Sequence, residues 1–412
     1  MKRRFLARQP IFNSERAVYG YELLYRSGAG NYYDAPNVEM ASASTADNLL
    51  LFGIDRLAPG CRSFINCTRD FLVHDFATML PKDRVVLEML ETIEIDDEVL
   101  AACRRLKQIG YLLALDDYLE RPEWKPLVAL ADFIKVDLLA TAPDDQLRLA
   151  RTYAPMKIRM VAEKVETYDD FHRAKQWGYT YFQGFFFSRP EMLSRRDIPA
   201  NKLNYLLVLQ AVNREQMDID DVSDKVKAEA SLSFRLLRYL NSPAFPLIVE
   251  VRSIPHALSL LGERGIRKWV SMIAVACMAE GKPTELAALP LMRARFCELL
   301  DVRAGRPESA CDLFLLGLLS AMDAILDMPM SDVLKEIAIG EEIRNALLGK
   351  SNGLRKILDV VLNYERGNWD EISQAAAGLG IGDEMITERY LESVDWAQQV
   401  VSGHDASELK AV

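Results

Sequence analysis

The feature that most constrains this chain is a series of short, β-rich apolar runs in its first half, each ending in a polar side chain. After a first strand expected around Tyr19–Tyr25 come SFINC (63–67), VVLEML (85–90), LLALDD (112–117), FIKVDL (133–138), IRMVAEKV (158–165) and YFQGFFF (181–187). Most runs start about 20 to 25 residues apart, room for a strand, a loop, a helix and a return, which is the mark of parallel βα units. Their continuous apolar character means strands buried on both faces. Such a series closes as a (β/α)₈ barrel or spreads as an open doubly wound sheet, and spacing alone does not separate the two. The polar ends do. Glu22, Asn66, Glu88, Asp116 with Asp117, Lys135, Glu163 and Gln183 fall one position to a run, and a barrel gathers one residue per strand at its C-terminal mouth. The expected fold is an α/β, TIM-like (β/α)₈ barrel.

At SRPEMLSRRDIPANK (188–202) the text turns to charge and proline with no strand period, as a linker does. From Leu203 onward helical spacing takes over, in LNYLLVLQAV, KWVSMIAVACMA, FLLGLLSAMDAIL and LRKILDVVLNY. A chain of 412 residues exceeds what one core organises. The expected domains are a barrel over 1–193, a linker over 194–202 and an all-α domain over 203–412. Within the latter, Asn241–Pro246 and Gly262–Gly265 each end one helical run and reset the next.

Charge and patterning exclude several classes. A net charge of −10 and a pI near 5.2 argue against general nucleic-acid binding, which needs a basic face. The N-terminal MKRRFLARQPIF has no apolar core of signal-peptide length. The longest nearly apolar run, Trp269–Ala279, is far below the roughly 20 residues of a membrane span. A soluble, cytoplasmic protein with no membrane contact is expected. Six scattered cysteines without a CxxC pair, with four histidines, argue against zinc or disulfide frameworks.

The polar series carries a chemistry of its own. Mg²⁺ and Mn²⁺ take hard oxygen ligands. Carboxylates from Glu22, Glu88, Asp116 and Glu163 and the amide oxygen of Asn66 would surround such an ion at one mouth, with Asp117 reaching a second. Two such ions about 3.5 to 4 Å apart serve in-line displacement at phosphorus. So negative a site repels a phosphate diester unless cations neutralise it, and Lys135 and Arg26 assist the metals; the planar fork of Arg26 suits phosphate. A lone carboxylate at a strand end is usually just solvated. Seven in series are not explained that way.

In order along the chain, ARQPIF (7–12), YGYELLYR (19–26), FIN (64–66), VLEMLE (86–91), LDD (115–117), IKVD (134–137), AEKVET (162–167) and FQGFFFSRP (182–190) resemble the EAL domain, a family that degrades the bacterial second messenger cyclic di-GMP. The resemblance spans almost all of 1–193. It implies that Glu22, Asn66, Glu88 and Asp116 are metal ligands and that Asp117 serves a second metal. It makes Glu163 the general base, supported by Glu166, and Lys135 the group that orients attacking water and phosphate. Gln183 becomes a metal-site or water-positioning amide, Gln9 and Arg26 substrate contacts, and Glu91 a loop anchor. The implied cofactor is Mg²⁺ or Mn²⁺, the ligand cyclic di-GMP, and a homodimer is one implied assembly.

Two departures are visible. The signature triplet reads Glu22-Leu23-Leu24 where the family has alanine in the middle. After the paired aspartates, the family's glycine-rich loop is replaced by Tyr118-Leu-Glu-Arg-Pro-Glu-Trp124. Glycine allows backbone angles that Leu119 and Glu120 resist. In the second half, residues 231–275 resemble the HDOD domain, a helical relative of metal-dependent phosphohydrolases, and 314–334 and 361–370 resemble the remainder of YuxH-like EAL/HDOD signalling proteins. A phosphohydrolase needs clustered His and Asp ligands, whereas this half holds only His256, expected to pack within a helix, and His404, expected in a polar tail. The helical half is therefore expected to meet a protein partner. Two functions from different classes follow: a cyclic di-GMP phosphodiesterase, and a catalytically inactive adaptor acting through protein–protein contacts.

Overall fold

The computed structural model describes residues 4–27, 53–191, 200–241, 251–301 and 307–405. They form two compact units, one of Met1–Phe187 with Glu365–Trp369, the other of Ser188–Tyr364 with Asp370–Val412. The first unit is a closed eight-stranded barrel in chain order: β1 (Arg4–Asn13), β2 (Val18–Ser27), β3 (Arg62–Cys67), β4 (Val85–Met89), β5 (Leu112–Leu115), β6 (Phe133–Asp137), β7 (Arg159–Glu163) and β8 (Tyr181–Gln183). The pairs from β2 to β8 are parallel, whereas β1 runs antiparallel to both of its neighbours, β2 and β8. Strand β1 is thus a closing stave that the βα spacing does not announce. The hairpin Asn13–Ala17 turns it into β2, with the Asn13 side chain accepting from the amides of Glu15 and Ala17.

The helices between strands carry ordinary start and stop signals. Asp96 caps Asp97–Ile109 by accepting from the Val99 amide, and Gly110 ends it at φ 108°. Thr167 and Gly178 do the same for Tyr168–Trp177. Inside the barrel, Ile11, Phe64, Val86, Ala114, Phe133 and Val161 form one buried layer, one side chain per strand, with Tyr19, Leu112 and Tyr181 packed against it. The barrel is filled, not hollow. The aromatic run 181–187 is not one strand as expected: β8 stops at Gln183, and Phe186–Ser188 form a single 3₁₀ turn. Gly184 causes the break. It has φ 146°, and a Cβ there would lie 2.2 Å from the Val165 carbonyl oxygen, so the backbone of β8 meets the loop after β7 only because no side chain intervenes.

The second unit is built of helices, from Ala200–Val212 through Asp383–Asp405. Of the expected linker, 194–199 lies outside the described residues, and 200–202 already belong to the first of these helices. The expected break at Gly262 is present: Ile254–Met278 kinks there, at φ 63° and ψ 173°. The break at 241–246 falls outside the described residues beyond Asn241. His256 sits half-buried in the first turn of Ile254–Met278, its amide capped by Ser253. The backbone of His404 belongs to the last turn of Asp383–Asp405 and not to a tail.

Candidate active site at the barrel mouth

Side chains on a strand alternate, so a residue two positions beyond an inward core residue faces inward again, one layer nearer the mouth. That rule builds the site. Phe64 is followed by Asn66, Val86 by Glu88, Ala114 by Asp116, Phe133 by Lys135, Val161 by Glu163 and Tyr181 by Gln183; on β2, Gly20 precedes Glu22, and on the reversed β1, Ile11 leads back to Gln9. An apolar layer therefore carries a polar layer directly above it. Glu88 and Lys135 are fully buried, and Glu22, Asp116, Glu163 and Gln183 nearly so.

Lys135 is the centre of that layer. Its Nζ lies 2.7 Å from Asp116 Oδ1, 2.8 Å from Glu88 Oε1, 2.9 Å from Glu163 Oε1 and 3.2 Å from Glu22 Oε2. Gln183 Nε2 donates to Glu22 Oε2 at 2.5 Å and to Gln9 Oε1 at 3.1 Å. Four carboxylates share one ammonium, so the layer carries an excess of acceptors. Both oxygens of Glu88, Glu163 Oε2, Asn66 Oδ1 and Gln183 Oε1 accept no hydrogen bond among the described residues. Glu88 Oε1 nevertheless lies within ion-pair distance of the Lys135 ammonium.

The electrostatics follow from burial and neighbours. Burial pushes Glu88 well above the ordinary carboxylate range, with Lys135 opposing and Glu22 and Asp116 adding to the rise. Glu163 is pushed up to about 8, first by burial and then by Asp116 and Glu22, against the pull of Lys135. Burial pulls on Lys135 in the other direction, but Asp116, Glu163, Glu22 and Glu88 together outweigh it and hold the ammonium charged. Asp117 is raised by burial and by Asp116.

The remaining expected residues stand as follows. Asp117 adjoins Asp116, half-buried, with φ 39°. Glu166 and Glu91 are half-buried beyond the ends of β7 and β4. Arg26 lies on β2 opposite Phe5, and its side chain is outside the described residues. Leu119 and Glu120 take no left-handed angle; in this loop that conformation falls on Asp117 alone. The strain expected at Leu119 and Glu120 is thus absent, because the turn is made at Asp117, ahead of both. Asp137 is a further site residue: it ends β6 and is its third inward position after Phe133 and Lys135, the residue that stands for this run in the sequence. It is buried, accepts from the amides of Leu139 and Ala140, and pairs with Lys164. Period-two counting would have found it.

Comparison with known proteins can now be set beside this geometry. Family models match twice, the EAL domain over residues 63–190 and the HDOD domain over 198–342. The uncharacterized protein YuxH of Bacillus subtilis is 33% identical over 96% of this chain and 98% of its own length. This chain belongs to the family of EAL–HDOD fusion proteins. A second relative of this EAL–HDOD chain, the cyclic di-GMP phosphodiesterase CdgJ of Vibrio cholerae, is 31% identical over 96% of this chain and 93% of its own. Among solved structures, Klebsiella pneumoniae BlrP1 in its calcium and cyclic di-GMP complex matches with a TM-score of 0.39 at 25% identity, over 45% of this chain and 55% of that one. Bacillus subtilis YkuI, with cyclic di-GMP and calcium, matches at 0.38 and 19% identity, over 55% of this chain and 73% of its own. No helix among the described residues is long and apolar enough to cross a membrane.

Proposed function

We propose that the barrel binds cyclic di-GMP at its mouth and hydrolyses it to linear pGpG with a divalent ion, Mg²⁺ or Mn²⁺. The observation that carries this is the set of buried oxygens left without hydrogen bonds on Glu88, Glu163, Asn66 and Gln183. Each buried acceptor left unpaired costs about 1 to 3 kcal/mol, and a hard cation removes that cost with the donors it prefers. As placed, the carboxylates converge on Lys135, and no three His, Cys, Asp or Glu side chains among the described residues stand close enough together to hold an ion. The donor chemistry fits a divalent ion, and Lys135 stands at the centre of the same carboxylates. Glu22, Asn66, Glu88 and Asp116 would hold one ion, and Asp117 with Gln183 would serve a second. The relative named as a cyclic di-GMP phosphodiesterase supports the same substrate.

When bound, such ions supply Lewis acidity, activate water and offset the negative layer. The protein's own groups do the rest. Glu163, raised to about 8 by burial, has the basicity of a general base near neutral pH, with Glu166 in support and Glu91 anchoring the neighbouring loop. Lys135, kept charged by four carboxylates, orients water and a phosphate oxygen. Gln9, hydrogen-bonded to Gln183, and Arg26 contact the dinucleotide. Incubating the full chain with cyclic di-GMP and Mn²⁺ or Mg²⁺ and separating the nucleotides tests this: linear pGpG is expected, and loss of dinucleotide binding in Arg26→Ala. Neither binding nor product at micromolar ligand would refute it.

The same lysine-centred arrangement, together with the altered loop after Asp117, favours the second reading, a catalytically inactive adaptor. Binding of cyclic di-GMP without product would support that reading. In both, the helical unit meets a protein partner. Leu203 and Leu207 share one face of Ala200–Val212 at 44% and 42% exposure, and Phe234 is 61% exposed. Light scattering of the full chain tests the homodimer that the family resemblance implies.

A further inference from the structure

The loop after Asp117 has no glycine, yet Asp117 itself takes a left-handed conformation, φ 39°, that costs a non-glycine residue. Something must hold it. The flanking amides are fixed by backbone bonds, Asp116 N to the Met89 carbonyl at 3.0 Å and Tyr118 N to the Lys135 carbonyl at 3.0 Å. The next residue, Tyr118, is driven into the protein: 2% exposed, with its ring edge-on to Trp124 at 6.1 Å and to Tyr153 at 5.6 Å. Its hydroxyl meets the Tyr153 hydroxyl at 2.8 Å. Tyr153, the last residue of the helix Pro143–Tyr153, also reaches Glu120 Oε1 at 3.3 Å, and Glu120 pairs with Arg148 of the same helix. Two rings, two hydroxyls and an ion pair thus tie the loop to that helix from beneath.

We infer that Tyr118, bonded through its hydroxyl to Tyr153, is a positioning residue that fixes Asp117 at the barrel mouth. A buried hydroxyl pair substitutes for the conformational freedom of a glycine-rich loop. A flexible loop reaches the left-handed angle because glycine tolerates it; this loop reaches it because the side chain after the strained residue is locked. Both phenols are buried; removing the Tyr153 oxygen strands the Tyr118 hydroxyl, whereas removing the Tyr118 oxygen cuts the loop's hydroxyl tie while Tyr153 keeps Glu120 as its acceptor. The inference rests on the proposed role of Asp117 only for its effect on metal. The lock itself is present without metal.

The test uses the full chain as Tyr118→Phe, Tyr153→Phe and the double variant, which keep the rings and remove the hydroxyls. Hydrogen exchange is followed by peptide mass spectrometry without metal. Exchange over residues 117–124 should speed up about tenfold in Tyr153→Phe, the free-energy scale of one stranded buried hydroxyl, and by a smaller factor in Tyr118→Phe, where Tyr153 keeps Glu120, with β6 unchanged. The double variant should be no faster than Tyr153→Phe, because one bond is shared. With Mn²⁺, calorimetry should show weaker binding of the ion that depends on Asp117, unchanged binding of the ion that depends on Glu88, and a fall in kcat at constant KM. Unchanged exchange in both single variants, or additive effects in the double, would overturn the inference. Faster exchange in variants of a protein that binds neither Mn²⁺ nor cyclic di-GMP would uphold the lock and reject the proposed function instead.

Discussion

Replacing Lys135 with methionine removes one cation from among four carboxylates and leaves a chain of similar length in its place. Its Nζ stands within 3.2 Å of all four, with no exposure to water. Removing one partner of a buried pair costs about 3 to 5 kcal/mol, and protonation of the stranded carboxylates caps the loss near that range. For a barrel of this size, that corresponds to a fall of about 6 to 20 °C in the barrel's melting transition. The loss should be full at pH 8.5 and smaller at pH 5, where the raised Glu88 and Glu163 bind protons of their own accord. Scanning calorimetry of the full chain, with the barrel transition separated from that of the helical unit, is the assay, since two units need not melt as one. Adding Glu88→Gln to Lys135→Met should recover part of the loss by removing one stranded charge. A transition moved by less than about 2 °C at pH 8.5 would be outside this range and would show that the carboxylates do not depend on the lysine.

Four further outcomes are expected. Titration with Mn²⁺ should give a binding site in the wild type that Glu88→Ala weakens at least tenfold; equal heats would remove Glu88 from the ligand set. Glu163→Gln should abolish hydrolysis and keep dinucleotide binding, because an amide accepts no proton. The same variant should also change the metal-free stability profile. The folded pKa of about 8 lies above the ordinary 4.5, so the wild type's contribution from this group is full below 4.5 and is lost as pH rises to 8. The glutamine variant lacks that slope, so its advantage in Tm should grow as pH rises from about 4.5 to about 8 and level off above. Gly184→Ala should destabilise the barrel severely, by about 3 kcal/mol or more, since its Cβ meets backbone at 2.2 Å in a conformation at φ 146°; a Tm within error of wild type would contradict the close approach.

The barrel and most of its mouth were legible because two regularities coincide. Parallel βα spacing gives the order of staves, and the period of two turns each strand's core residue into a site residue two positions later, as Phe133 gives Lys135 and Val161 gives Glu163. Strand β1 escaped that logic because it is antiparallel and joins β2 by a hairpin, leaving no helix-length gap to mark it. The aromatic run 181–187 misled in the other direction, since β-propensity favours a strand throughout while the close packing at Gly184 cuts it after Gln183. Asp137 stayed unread for a simpler reason: one polar residue stands for each run, and Lys135 already fills that place in 133–138 although Asp137 ends the strand. The Tyr118–Tyr153 bond was invisible because it joins residues 35 apart through side chains that, in sequence, look like ordinary core aromatics.

The lysine-centred mouth also fixes how metal and stability must be related. On the proposed function, the oxygens that bind a divalent ion are those that Lys135 already partly satisfies, so an arriving ion gains only the difference between its own attraction and that of the ammonium. Lys135 therefore stabilises the barrel and lowers its affinity for metal through the same three contacts, with Glu22, Glu88 and Asp116. The sign of one consequence is forced. In Lys135→Met the destabilised barrel must bind Mn²⁺ more tightly than the wild type, even though turnover falls, because the variant has lost a competitor along with a catalytic group. Calorimetric titration of that variant decides the point: a weaker Mn²⁺ site would mean that the lysine supports the ion rather than standing in for it, and the arrangement around Nζ would then not be the metal-free counterpart of a metal site.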